Sequence, residues 1–173
     1  AIAAGSIKPQ FVEPVEIKVK KSENVEKDSL LLARKALALL MAKKNDKEEG
    51  KRLIMDEIKQ LMASLKDCKT FLPNDKAHLH FAFYAANLAL KEEAAKNRQE
   101  LETPLPRLKA NNLLLPTARL LFYYEDQDQK ELNTANRIID KWDNTHYTDP
   151  QRDVVRLRQF VLNSVRDTSA NNN

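Results

Sequence analysis

Glycine is nearly missing from this chain: Gly5 and Gly50 are the only two in 173 residues, where average usage would place about a dozen. That scarcity disfavours turn-rich β architectures and glycine-dependent phosphate loops, because both need backbone that only glycine adopts freely. Cysteine is as scarce. Cys68 stands alone, so neither an intramolecular disulfide nor a cysteine-based zinc site can be assembled. Long apolar runs are also missing. The most apolar stretch, Leu30 to Met41, is interrupted by Arg34 and Lys35 and is well short of the roughly 18 apolar residues of a membrane span, so a soluble domain is expected.

What remains is rich in Leu, Ala, Lys, Glu and Asn, with charges interspersed as on solvated helix faces. The length suits one domain with a core of several helices. The net charge of +4 sits in residues 1–69, with fifteen Lys or Arg against eleven Asp or Glu; the rest balances at fourteen against fourteen. A mild basic third of this kind serves solubility, and it also leaves nucleic acid as an alternative partner class. The chain begins at Ala1, which fits a mature end after signal-peptide removal, a cloning remnant or an excised fragment equally, and leaves the compartment open.

Residues 1–14 (AIAAGSIKPQFVEP) have no helical period, and Val15, Ile17 and Val19 then alternate with Glu16, Lys18 and Lys20. Residues 1–23 are therefore read as an extended arm that lies over the helices or adds to another chain's sheet edge. Helical spacing begins after Asn24. A first helix is expected over Val25–Lys44, a second through Leu53, Ile54, Ile58, Leu61, Met62 and Leu65, and a third over Asp75–Leu101 whose polar second half protrudes into solvent. Pro116 predicts a kink or a helix start inside Leu108–Tyr124. A fifth helix is expected over Lys130–Asn144, and a last one after Thr148-Asp149-Pro150, ending in a disordered tail over 168–173.

The fold class expected is all-α: five to six helices in antiparallel hairpins over residues 24–167, as a bundle or a tetratricopeptide-like hairpin stack. The segments from Leu30 and from Leu113 share a layout of apolar helix, acidic turn and second helix with a basic residue ahead of an aliphatic pair. The second, closing with Asp149-Pro150, is similar in outline to a tetratricopeptide unit. It lacks the tryptophan, glycine and tyrosine pattern of that family's first helix, so the likeness implies an architecture and not membership.

No catalytic constellation emerges. Glu48, Glu49, Asp56 and Glu57 sit beside Lys47, Lys51 and Lys59 as on a wet face, and none is embedded in the apolar surroundings that a general acid needs. His78 and His80, two residues apart, point about 200° from each other on a helix and cannot readily share a metal. No cofactor, metal or catalytic residue is assigned. The leading expectation is a non-enzymatic domain that binds another protein; a nucleic-acid binder, and a small ligand carrier or enzyme with a pocket lined by Phe81, Tyr84 or Trp142, are the alternatives. The candidate contacts are Val15, Ile17, Lys18, Val19, Lys20 and Lys21 on the arm, Tyr123 and Tyr124 because Phe122-Tyr123-Tyr124 cannot all face one core, and Arg152 and Arg156, one turn apart on one face. Asp149 and Asp153 offer those two arginines ordinary intrahelical partners.

Overall fold

Local chemistry sets the first hairpin. In the computed structural model, which describes residues 20–171, the side chain of Asn24 accepts the Lys27 N–H at 3.0 Å and opens α1 (Val25–Leu40). Glu26 and Asp28 in its first turn suit the positive end of the helix dipole. The helix stops short of the expected Lys44, because the Asp46 carboxylate accepts the Lys43 N–H at 2.8 Å and folds the connection into a turn. α2 (Glu48–Leu65) then runs back antiparallel to α1: the Ser22 N–H, just before α1, reaches the Ser64 carbonyl near the end of α2.

The long third helix is two helices. α3 (Pro73–Ala89) starts on a proline whose missing N–H would lack a helical partner anyway, and Leu72 is its N-cap residue. It ends where Lys91 takes a left-handed conformation, φ 59°. There the Glu92 N–H bonds the Asn87 carbonyl and the Lys91 N–H bonds the Leu88 carbonyl, the paired bonds of a Schellman stop. The polar KEEAAKNRQELE stretch therefore folds back as α4 (Ala95–Glu102) instead of protruding. A 3₁₀ turn, Leu105–Arg107, leads on. Pro116 sits in the third position of α5 (Leu114–Asp126), inside the first turn, where it removes no helical hydrogen bond.

Asp128 caps α6 (Gln129–Ile139) through the Lys130 N–H, at 3.0 Å. α6 ends before Trp142, which lies in the following loop with its ring edge-on to Tyr147. α7 (Asp149–Asn171) opens with a reciprocal box: the Thr148 hydroxyl accepts the Gln151 N–H and the Gln151 amide oxygen accepts the Thr148 N–H. It continues to Asn171, past the point where a tail was expected. No strand occurs among the described residues, and the Val15–Val19 alternation lies outside them.

Cross-links between helices give their directions. Asn112 meets Asn74 near the starts of α5 and α3, and Tyr84 meets Glu125 near their ends, so α3 and α5 are parallel. α5 and α7 are parallel too, with Leu113 near Pro150 at one end and Tyr124 against Phe160 towards the other. α1 lies most extensively along α3, where Ala77, Ala82, Ala85 and Ala86 carry no bulk to hold the helices apart. The result is an all-α stack of hairpins with a core reaching from Leu32 on α1 to Val161 on α7.

Arg98 ties the short α4 to that core. Its guanidinium donates to Glu125 at 2.8 Å and to Asp126 at 2.6 Å, and sits 4.4 Å from the centre of the Phe122 ring. Burial works against its charge, but the bonds to Asp126 and Glu125 outweigh that and raise its pKa. The fully buried Tyr84 donates to the same Glu125 at 3.0 Å, and burial followed by the Glu125 charge pushes its phenol upward. Both groups therefore hold their protons at neutral pH.

Candidate partner-binding groove

α1 carries more apolar surface than its neighbours cover. Its spacing sends Leu32 and Ala36 fully inside, while Leu30 stays 45% exposed and Arg34 and Ala38 face outward. Leu31 and Met41 are half-buried. A groove of about 370 Å³ opens where the second half of α1 approaches the first turns of α5 and α7. Leu37, Ala38 and Met41 form one wall, and Leu113, Val154 and Leu157 the other. Arg34, Arg156 and Asp153 stand in its lining. Arg156 is only 3.5 Å from Asp153, an exposed contact worth roughly 0–1 kcal/mol that a partner's carboxylate can replace. Arg34 makes no ion pair among the described residues. A shallower depression along Asn24, Lys27, Leu30 and Leu31 shares Arg34 and prolongs the apolar strip towards the start of α1.

The candidate contacts read from the sequence do not converge. Val15, Ile17, Lys18 and Val19 lie outside the described residues. Lys20 pairs with Glu23 at 3.0 Å, and Lys21 donates to the Lys66 carbonyl at the far end of α2. Tyr123 is only 7% exposed, so it offers no outward ring; α5 is enclosed on so many sides that two of the three consecutive aromatics fit inside. Tyr124 is the half-exposed one, its ring 5.9 Å from Phe160. Arg152 pairs with Asp149 at 3.6 Å, as its spacing allows. Arg156 alone among them lines the groove. The residues that sequence reasoning passed over are Arg34, Leu37, Ala38 and Met41. Their signal was the width of the apolar face on α1, too broad for one hairpin partner and one further helix to cover.

Other chemistry is tied up in pairs. Glu57 bonds Lys35 across the first hairpin, while Glu48, Glu49 and Asp56 are exposed. His78 Nδ1 lies 2.8 Å from the Asn74 carbonyl and His80 Nδ1 2.9 Å from Glu100, so the two rings face different partners. Phe81 and Tyr84 are 3% and 0% exposed in the core, and neither they nor Trp142 line the groove beside α1. Among the described residues no helix is long and apolar enough to cross a membrane.

No protein-family model matches the chain, and no curated protein does. Among solved structures, the crystal structure of a transcription anti-terminator antagonist, UpxZ from Bacteroides uniformis, is similar over 79% of this chain and 92% of its own, with a TM-score of 0.58 and 20% sequence identity. The likeness shows that the two share a helical fold.

Proposed function

We propose that this chain is a non-enzymatic regulatory domain that acts by binding another protein, and that its partner is a transcription antiterminator, held in check by the contact. The observation that carries the reading is the groove between α1 and α5–α7. It offers an apolar floor with arginines beside it, the layout that takes up a helix or strand of a partner. The likeness in fold to an antiterminator antagonist favours this class of partner. A nucleic-acid reading is less well supported, because Arg98, Arg119 and Arg158 are each held by a carboxylate of a neighbouring helix.

A terminator-readthrough reporter, driven with each antiterminator of the protein's own genome, tests it. Co-expression of the intact chain should lower readthrough for one of them, and the two proteins should co-elute on size exclusion. Ala38→Arg, at an exposed helical position, fills the groove without touching the core and should restore readthrough with an unchanged circular dichroism spectrum. Unaltered readthrough with every antiterminator, and no complex, would refute the proposal.

A further inference from the structure

A further depression lies elsewhere on the stack, where the α1–α2 turn, the α3–α4 turn and the end of α5 meet. It encloses about 450 Å³, within the usual range of roughly 300–1,000 Å³ for small-ligand sites. Leu39, Leu40, Met55, Leu88, Leu90 and Tyr124 supply apolar walls. Its charged lining is one-sided: Lys51, Arg52 and Lys91 against Glu48 alone. Lys51 is the telling member. Its side chain is only 21% exposed, yet its one carboxylate partner among the described residues, Glu48, is 3.8 Å away, at the limit of an ion pair. An ammonium anchored by its stem at the edge of this depression, with its carboxylate neighbour so far off, is placed to take a second anion beside it. Arg52 and Lys91 are exposed and make no ion pair among the described residues.

We infer that this depression is a binding site for a carboxylate carried on an apolar body, with Lys51, Arg52 and Lys91 on the carboxylate and the Leu–Met wall on the body. The inference is independent of the groove between α1 and α7. Two sources present this chemistry: a free aliphatic acid, and a protein C-terminus whose last side chain is apolar. The basic side chains recognise the carboxylate in both, and the apolar walls take the body.

Titrations of the isotopically labelled full chain, followed by amide NMR, separate the two sources. The probes are sodium octanoate, N-acetyl-leucyl-leucine as its free acid, the same dipeptide as its C-terminal amide, and octanol. Either acid should shift the amides of Lys51, Arg52, Met55 and Leu88 to Lys91 in a saturable way. Octanol and the dipeptide amide should bind roughly tenfold more weakly or worse, the loss of one charge-assisted contact. Octanoate alone acting assigns a free acid; the dipeptide acid acting assigns a C-terminus. Lys51→Met should weaken the effective acid by a similar roughly tenfold factor, and Met55→Trp, which fills the floor, should abolish its binding while amides elsewhere stay in place. The inference is overturned if neither acid gives saturable shifts here, if octanol matches octanoate, or if binding survives both substitutions.

Discussion

The α1–α2 and α5–α6 hairpins share a sequence layout and are buried very differently. α5 encloses eight of its thirteen residues, from Leu114 to Tyr123, whereas α1 encloses three of sixteen, Ser29, Leu32 and Ala36. The second helices differ in the same sense: α2 leaves Leu53 61% exposed, although its spacing placed that residue inward, while α6 buries Leu132, Ala135 and Ile139. The cause is position in the stack. α5 has α3, α6 and α7 around it and α4 latched across its end by Arg98, whereas the first hairpin stands at the edge with only α3 beyond its own two helices as a broad neighbour. An amphipathic pattern states which face a helix offers to a core; it does not state how many neighbours arrive to cover it. The apolar surplus of the edge hairpin is what the groove is made from.

The sharpest way to break this comparison is to remove the same side chain from each hairpin. Leu121→Ala in α5, at 0% exposure, should cost about 2–5 kcal/mol in denaturant unfolding, whereas Leu30→Ala in α1 should stay within about 0.5 kcal/mol. Equal losses would mean that α1 is as enclosed as α5. A smaller effect is expected from the latch. Arg98→Ala leaves Glu125 and Asp126 without their shared partner and removes the guanidinium from Phe122; because the three side chains keep 21–37% of their exposure, the cost should be about 1–2 kcal/mol. Arg98→Lys should recover only part of it, since an ammonium cannot fork between two carboxylates.

Smaller again are the left-handed turn residues that close the first helix of one hairpin and the second of the other. Gln127→Gly, at φ 59° after α5, should stabilise by about 0.5–1 kcal/mol, and Asp67→Gly, at φ 62° after α2, by less, because aspartate tolerates that conformation better than glutamine. The smallest effect concerns pH. Burial lowers the pKa of His80, outweighing the attraction of Glu100. The unfolded chain therefore binds that proton more readily, and His80 should subtract stability as pH falls through its ordinary value of 6.5 towards its lower folded value. His80→Gln should flatten that part of the pH–stability curve, as measured by urea midpoints.

Much of the fold was legible because its signals are local. Asn24 and Thr148 each carry an oxygen that satisfies an orphan N–H at a helix start, and the three-four spacing that follows them is independent of the rest of the molecule. The break at Lys91 was not legible, since a lysine in a left-handed conformation leaves no mark comparable to a glycine. Nor was the exposure of Leu53 or the burial of Tyr123, because each depends on which helices come to lie beside it.

The candidate groove was less legible still. Arg156 came from a charge cluster, but Arg34, Leu37, Ala38 and Met41 are separated from it by more than a hundred residues and meet it only across the stack. The sequence by itself determined helix identity, most helix starts, the hairpin turns and the scarcity of glycine and cysteine that excludes other architectures. Tertiary structure alone decided which apolar faces are covered, where α4 is tied down and which cations are left poorly paired. The physical reason is range: caps and helical periodicity are satisfied within one or two turns of chain, whereas burial and charge compensation are properties of whatever neighbours the fold brings within a few ångströms.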